Sequence, residues 1–383
     1  MVAENKLECN ALFFERMLKS AKPDGQIVMN YGNMKGMLQL QRAFIGLLNR
    51  TFVPGVHLEP EHVCLLSGSS CVLDSLFFCI ADSSDGVLIP TPYYPAFDND
   101  LEARCAAVPV GFELHEEAPI KQQLEEAVTR AEKESCKRVR ALLITNPNNP
   151  LGIIYKEQTV IEMMTWCLEN KIHYVSDEIY GNSVHKEGEC FKSALCLLST
   201  LVDSGSVTAD CAQNYFHLIY GLSKDWCASG LRIGMLYSRN SPLQQALNSL
   251  APFGSISNHQ QHMAADVLSD EKWTGDFIDK NSAAIRRSYQ ILADSLESCR
   301  IPYVPAVAAI FVWIDLTAYL HDTSWEGENR LWEAICENCK VILTPGESCH
   351  ASKPGYFRLC FAWVPPVALK LAIQRIHKYL NSL

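Results

Sequence analysis

The feature that most constrains the fold is an alternation of short apolar runs with longer segments of helical periodicity through the middle of the chain. The runs at 87–89, 141–145, 173–176 and 215–220 are rich in β-branched and aromatic residues, and the intervening stretch 156–171 has helical spacing. Such alternation is typical of βαβ units, which place successive strands side by side in a parallel sheet. We therefore predict an α/β fold with a mostly parallel central sheet.

The pattern changes after about residue 255. A long polar-faced helix is followed by an apolar strand at 311–314, further helix, a short strand at 357–361 and a last helix. We predict a large domain at 51–255 and a smaller α+β domain at 256–383. The mainly helical residues 1–50 are expected to pack with the smaller domain.

Charge and hydropathy argue against two classes of partner. The 383 residues include 33 basic and 43 acidic side chains, a net charge of −10, without a long basic run, so we expect neither nucleic-acid nor membrane-surface binding. The longest apolar stretch, 306–314, is far shorter than the roughly 18 residues of a membrane span.

No targeting signal is visible, which favours a cytoplasmic protein. The one CxxC pair, at 336 and 339, has no second pair at zinc spacing, so we expect no metal site.

Four polar residues stand just beyond the predicted strands, where open parallel sheets bind their ligands. They are Asn149, Asp177, Lys224 and Arg232. A lysine followed eight residues later by an arginine suits a cofactor that is both an aldehyde and a phosphate ester. Pyridoxal phosphate is such a cofactor, and we predict it here.

The chemical requirements of pyridoxal phosphate can be compared with the sequence. Its aldehyde requires an amine, for which a partly desolvated Lys224 is suited. Its ring nitrogen requires a carboxylate that keeps a proton there, which Asp177 can provide. Its phosphate requires cations, hydroxyls and backbone N–H groups near a helix start, which Arg232, Ser223 and the Ser-Gly-Ser-Ser turn at 67–70 can supply.

Other side chains complete this candidate site. Asn149 and Tyr180 can donate hydrogen bonds to the phenolate oxygen of the ring, and Tyr94 can stack on its face. Arg358 can bind the α-carboxylate of a substrate through two N–H groups. Each residue alone is more often a turn, packing or surface residue. Their joint occurrence, in order and at strand ends, predicts a functional site.

Several segments also carry a family resemblance. The chain resembles the fold type I pyridoxal phosphate enzymes of the class I/II aminotransferase family, and within it most of all the 1-aminocyclopropane-1-carboxylate synthases and their synthase-like relatives. The resemblance covers nearly the whole chain and lies in the segments 2–7, 90–95, 145–152, 176–180, 222–225, 230–232 and 355–358.

The resemblance implies a role for each matching residue. Lys224 corresponds to the family's Schiff-base lysine, Asp177 to the partner of the ring nitrogen, and Arg358 to the carboxylate clamp. Glu4 falls where the synthases have a glutamate close to the substrate. The remaining cofactor contacts implied are Asn149 and Tyr180 at the phenolate oxygen, Tyr94 on the ring face, and Ser69, Ser70, Ser223 and Arg232 at the phosphate. The family also implies a homodimer whose sites are completed by the partner's residues near Tyr31 to Gly36.

The sequence departs from the family pattern in three places. Met34 stands where plant synthases have a tyrosine, and a thioether cannot donate the tyrosine's hydrogen bond. Gly221 stands where a phosphate-binding serine is usual, so we expect one contact fewer. The sequence begins directly at the segment 2–7, which predicts that the N-terminal arm is absent and the dimer less stable.

Three functions remain open at this point. The first is conversion of S-adenosyl-L-methionine to 1-aminocyclopropane-1-carboxylate and methylthioadenosine, with Lys224, Asp177 and Tyr180 as catalytic residues and Arg358, Glu4 and Tyr31 as substrate-binding residues. The second is transamination or β-elimination of an amino acid. The third is a pyridoxal phosphate-binding protein with little catalysis, although a binding protein has no evident need for both Asp177 and Arg358.

Overall fold

The computed structural model describes residues 4–382. Its central sheet has seven strands in the spatial order β1-β7-β6-β5-β4-β2-β3. These strands are β1 (Val63–Leu66), β2 (Gly86–Thr91), β3 (Val108–Glu113), β4 (Val139–Thr145), β5 (His173–Asp177), β6 (Phe216–Gly221) and β7 (Gly234–Tyr237). Strands β2 to β6 pair in parallel, whereas β7 runs antiparallel to both of its neighbours, β6 and β1. The predicted α/β fold with a mostly parallel sheet is confirmed.

Fourteen α-helices occur within the described part of the chain. They are α1 (Cys9–Leu18), α2 (Gly25–Val28), α3 (Leu38–Arg50), α4 (Ser69–Ile80), α5 (Ala96–Glu102), α6 (Ile120–Glu134), α7 (Glu157–Glu169), α8 (Ala194–Asp203), α9 (Ala209–Tyr215), α10 (Ser241–Gly254), α11 (Asn258–Ser269), α12 (Glu271–Ser298), α13 (Trp325–Ala334) and α14 (Pro366–Leu380). Among residues 4–382, no helix combines the length and the apolar character that crossing a membrane requires.

The central strands are buried on both faces, which explains their continuous apolar sequence. Successive side chains alternate between two hydrophobic cores: Leu142 and Leu218 face one, whereas Leu143 and Ile219 face the other. Helices α6, α7 and α8 cover the first face, and α4, α5 and α10 cover the second. The four apolar runs of the sequence became β2, β4, β5 and β6. Strands β1, β3 and β7 were not among the predicted runs, and β1 and β7 have only four residues each, too few to show a period.

A second, antiparallel sheet lies towards the C-terminus, with the order β10-β11-β9-β8. Its strands are β8 (Tyr303–Val304), β9 (Phe311–Asp315), β10 (Thr344–Pro345) and β11 (Tyr356–Cys360). The beginning of the described chain packs beside this part: Asn5 Nδ2 donates to Asn281 Oδ1 at 2.8 Å, and the Lys6 N–H donates to the Ala362 carbonyl at 2.8 Å. The division into 1–50, 51–255 and 256–383 stays a prediction.

The register of the central sheet brings its polar strand ends together. Thr145 at the end of β4 pairs with Asp177 at the end of β5, and Asp177 pairs with Ile219 of β6, two residues before that strand ends. Chain reversals at the same edge lead into Asn149 and Lys224. The sheet therefore gathers residues from three strands at one edge, and these line a cavity.

Candidate active site

A cavity of about 200 Å³ opens at the C-terminal edge of the central strands. Its lining includes ten of the residues predicted from the sequence, namely Glu4, Ser69, Ser70, Tyr94, Asn149, Asp177, Tyr180, Ser223, Lys224 and Arg232. It also includes residues that the sequence did not single out: Leu73, Phe97, Asp100, Thr145, Ile179 and Ser229. The structure thus brings together groups that lie as far as 228 positions apart in the chain, from Glu4 to Arg232.

Asp177 is a deeply buried carboxyl group in the floor of this cavity. Its Oδ2 accepts a hydrogen bond from Thr145 Oγ1, and its Oδ1 accepts one from the Ile179 N–H, both at 3.3 Å. Burial raises its pKa to about 7, against the smaller opposing effects of those two hydrogen bonds. A buried carboxylate at neutral pH is stabilised by an adjacent cation, so this group fits the protonated ring nitrogen of pyridoxal phosphate.

Lys224 follows the end of β6 and is partly buried in the cavity wall. Burial lowers the pKa of its ammonium group, the direction that favours a nucleophilic amine. The next residue, Asp225, fixes this turn: its carboxylate accepts hydrogen bonds from the Asn182 N–H at 2.7 Å, from Tyr220 OH at 2.9 Å and from Ser183 Oγ. The turn that carries Lys224 is therefore tied to the loop after Tyr180.

The opposite end of the cavity has the features of an anion site. Helix α4 begins at Ser69, and its first N–H groups have no partners within the helix. Gly68 precedes it with a φ of +87°, and a side chain there would collide with the guanidinium of Arg232. Ser69 Oγ is buried without a hydrogen-bond partner. A helix start, hydroxyls and a guanidinium gathered in this way suit a phosphate group, so the residues present fit the cofactor.

Arg358 does not itself line the cavity, but it contacts Asn149, which does. It lies on β11, is 5% exposed, and donates from Nη1 to Asn149 Oδ1 at 2.8 Å, across 209 positions of sequence. Its guanidinium lies 4.6 Å from the centre of the Phe311 ring, against which Tyr180 also packs edge-on at 5.9 Å. Because Asn149 uses its oxygen towards Arg358, its Nδ2 group is left to donate towards the cavity.

Three further predicted residues differ in how the structure places them. Glu4 lines the cavity, and its Oε1 accepts a hydrogen bond from Ser229 Oγ at 2.9 Å. Tyr94 also lines it and packs edge-on against Phe97 at 5.3 Å. Tyr31 lies outside the cavity of its own chain and is 95% exposed. Its predicted role requires a second chain, and it stays a prediction.

Gly221 and Met34, where the sequence departs from the family pattern, are both closely packed. A Cβ atom at Gly221 would lie 2.8 Å from the carbonyl oxygen of Ile233 and 3.1 Å from Ser69 Oγ, so the close approach of β7 and α4 requires a glycine. Met34 packs partly buried against the hydrophobic core on the α4 side of the sheet. Its side chain is thus used for packing in the single chain.

Asp100 is the most notable residue that sequence reasoning missed. It lies on α5, three positions after Phe97, and both residues line the cavity. This i, i+3 spacing from an aromatic residue in the segment after 90–95 was the available signal. It was weak, because acidic residues on a short helix are usually solvated.

Comparisons with known proteins agree with this geometry. The sequence profile of the family described as aminotransferase class I and II matches residues 4–376. The chain is 31% identical to 1-aminocyclopropane-1-carboxylate synthase 7 of Arabidopsis thaliana over 393 residues, which covers 99% of this chain and 86% of that protein. It is 33% identical to 1-aminocyclopropane-1-carboxylate synthase 6 of Oryza sativa subsp. japonica over 355 residues, covering 92% of this chain and 64% of the rice protein.

Solved structures share the fold at lower identity. The aspartate aminotransferase from Thermus thermophilus with maleate superimposes with a TM-score of 0.80 at 22% identity, covering 98% of this chain and 90% of that chain. The aromatic aminotransferase from Pyrococcus horikoshii OT3 gives a TM-score of 0.82 at 18% identity, covering 100% and 95%. The fold is therefore the fold type I architecture predicted from the sequence. Together with the profile match and the two relatives, this shows that the chain belongs to the aminotransferase class I and II family, a family of pyridoxal phosphate-dependent enzymes.

Proposed function

We propose that this protein is a pyridoxal phosphate-dependent enzyme that acts on an α-amino acid, with the conversion of S-adenosyl-L-methionine to 1-aminocyclopropane-1-carboxylate as its reaction. One observation carries the proposal: a partly buried lysine of lowered pKa, a buried carboxyl group and an anion site surround one cavity, and a buried arginine adjoins it. The relatives of about a third identity, named as synthases, support the choice of reaction.

The residues of the chain would hold the cofactor at three points. Lys224 Nζ would bind its aldehyde carbon, Asp177 its ring N–H, and the start of α4 with Arg232 its phosphate. When bound, pyridoxal phosphate withdraws electrons from the α-carbon of the amino acid. The Nδ2 group of Asn149 and the hydroxyl of Tyr180 would donate to the phenolate oxygen, which fixes the tilt of the ring.

The same residues would then act on the substrate. Arg358 binds the α-carboxylate, and this orients the α-hydrogen towards Lys224. Once the substrate amine has displaced it from the aldehyde carbon, Lys224 Nζ, whose pKa burial lowers, would take the proton from the α-carbon. The carboxylate of Asp177 would keep the ring nitrogen protonated throughout. With S-adenosyl-L-methionine, the α-carbon displaces the sulfur at Cγ, so the three-membered ring closes and methylthioadenosine leaves with both electrons of the C–S bond.

A second candidate is transamination or β-elimination, and Met34 favours it. A thioether at this position cannot hold a substrate or cofactor oxygen by donating a hydrogen bond. If the tyrosine of the plant synthases directs the α-carbon towards Cγ, its loss disfavours ring closure. Return of the abstracted proton to the substrate then becomes the main reaction. Lys224 would then deliver the proton instead of leaving the α-carbon to attack.

We also propose a homodimer located in the cytoplasm. Met29, Tyr31 and Phe253 are 83%, 95% and 87% exposed, which is unusual for large apolar side chains in a monomer. Phe253 adjoins Gly254, whose carbonyl accepts from the Ser67 N–H at 2.8 Å, so this surface borders the phosphate end of the cavity. All sixteen cysteines are free thiols, as is usual in a reducing compartment.

The test separates the candidate reactions by their products. Purified protein reconstituted with pyridoxal phosphate is incubated with S-adenosyl-L-methionine and, separately, with a panel of amino acids. The cyclopropane amino acid, 2-oxo acids and ammonia are each measured. Lys224→Ala is expected to abolish every product and to prevent borohydride from fixing the cofactor to the chain. The matched control, Lys133→Ala on the exposed face of α6, is expected to behave as wild type.

The outcomes discriminate clearly. The cyclopropane product supports the synthase proposal, and 2-oxo acid or ammonia without it supports the second candidate. A protein that binds the cofactor through Lys224 and forms no product from any substrate contradicts both.

A further inference from the structure

Asp100 is a partly buried acid with no role in the function proposed above. It lines the phosphate end of the cavity with Ser69, Ser70 and Arg232. Its Oδ2 atom is shielded from solvent and has no hydrogen-bond partner. A buried, unpartnered carboxylate oxygen is costly, so its presence beside the anion site calls for a ligand that pairs with it.

The charges around the cavity make an ionised Asp100 unfavourable when phosphate is present. Among the described lining residues, Lys224 and Arg232 are the two cations, and Glu4, Asp100 and Asp177 are the three acids. Asp177 is matched by the ring nitrogen of the cofactor, and Glu4 accepts a hydrogen bond from Ser229 Oγ. A phosphate monoester at pH 8 adds a dianion to an end of the cavity that holds Arg232 alone as a positive charge. A protonated Asp100 relieves this repulsion and becomes a hydrogen-bond donor.

We propose that Asp100 is a phosphate-binding residue that carries a proton in the complex, so that the cavity takes up one proton from solvent with each phosphate monoester it binds. The bond formed is a hydrogen bond from the Asp100 carboxyl O–H to a phosphate oxygen. No covalent bond changes. This inference rests on the proposed cofactor but adds a property of this chain, namely that binding depends on pH through Asp100.

On balance, the surroundings of Asp100 favour its protonated form. Burial raises its pKa to about 6 even without a phosphate, and the negative charge of Asp74 adds to this, whereas Ser70 and Arg232 oppose it. Asp74 is itself paired with Arg104 at 2.8 Å. The titratable and charged groups that act on Asp100 from all neighbouring elements are Asp74 on α4, Tyr94 beside α5, Asp177 on β5 and Arg232 after β6.

The binding of pyridoxamine phosphate to the cofactor-free full-length chain tests the proposal. This ligand has no aldehyde, so its affinity does not include a bond to Lys224. Titration calorimetry at pH 8, in two buffers of different ionisation enthalpy, counts the protons taken up. Wild type is expected to take up about one proton more than Asp100→Asn per ligand bound. Between pH 7 and pH 9 its affinity is expected to fall by about tenfold per pH unit relative to that variant.

A matched control and a second variant keep the result interpretable. Asp74→Asn removes a neighbouring carboxylate that does not line the cavity, and it is expected to retain the wild-type proton count. Asp100→Ser is a second neutral variant, with a hydroxyl donor, for use if the asparagine variant fails to fold. Equal proton counts in wild type and the Asp100 variants overturn the inference and leave the cofactor proposal standing. Failure of wild type to bind the ligand at any pH overturns both.

Discussion

Replacing Gly221 with serine tests whether this glycine is a lost phosphate contact or a packing requirement. The residue is paired with Gly234 across β6 and β7, and an added Cβ would lie 2.8 Å from the Ile233 carbonyl oxygen. An ordinary contact of this kind is 3.4 Å or longer. Because the obstructing atom belongs to the backbone, the two strands must separate before a side chain fits.

The expected cost follows from this contact. Overpacking that moves backbone costs roughly 1–3 kcal/mol of unfolding free energy. The entropy of unfolding of a chain of 383 residues is about 0.8 kcal/mol/K, so a loss of about 2 kcal/mol lowers Tm by about 2.5 °C. We also expect weaker cofactor binding, because the displaced β7 carries Gly234 against the Gly68 turn and Ser69.

Urea unfolding and cofactor titration on the same preparations measure both effects. Gly230→Ser is the matched control: an added Cβ there meets nothing within 4 Å, so we expect a change within about 0.5 kcal/mol. If Gly221→Ser is as stable as wild type and binds pyridoxal phosphate more tightly, the packing argument is wrong and the serine has restored a missing contact.

Three other perturbations have definite expected outcomes. Asp177→Asn should abolish turnover in product assays. In urea unfolding at pH 8 it should also stabilise the cofactor-free chain by roughly 1–3 kcal/mol. Burial raises the pKa of Asp177 to about 7, above its unfolded value, so at pH 8 the wild type buries a charged carboxylate that the asparagine variant lacks. Arg358→Lys should lower kcat/KM by about 10–100-fold, mainly through KM, because the two-pronged contact with the substrate carboxylate is lost; an unchanged KM would refute its assignment. His173 Nδ1 and His217 Nε2 are 2.8 Å apart, and burial lowers the pKa of both. Stability conferred by neutral His217 is therefore lost as pH falls below about 6.5, and His217→Gln should reduce the acid-side slope of unfolding free energy by about 1.4 kcal/mol per pH unit.

The sequence determined the fold class because its information was local. Apolar runs of four to six residues predicted β4, β5 and β6, whose observed bounds differ from the predicted ones by two residues at most. Strand ends placed Asn149, Asp177 and Lys224 at one edge of the sheet before any distance was known. The antiparallel return of β7 could not be predicted, since a four-residue strand has no period and its direction depends on its pairing partners.

Within the site, chemistry visible in the sequence identified residues whose side chains have distinctive functions. Lys224, Asp177 and Arg232 were singled out in this way, although their roles stay predictions. Asp100 and Asp225 were missed, because a carboxylate on a short helix or beside a lysine resembles any solvated acid. Only burial distinguishes them, and burial is created by elements distant in sequence.

The sequence by itself therefore determined the α/β class, the central strands β2, β4, β5 and β6, and the chemical groups available at the strand ends, since periodicity and residue type act over a few positions. The tertiary structure alone decided that Arg358 reaches Asn149 across 209 positions, that Gly221 has no room for a side chain, and that Asp100 faces the anion site. These facts depend on how two sheets and their helices pack, and packing sets which distant atoms are desolvated together.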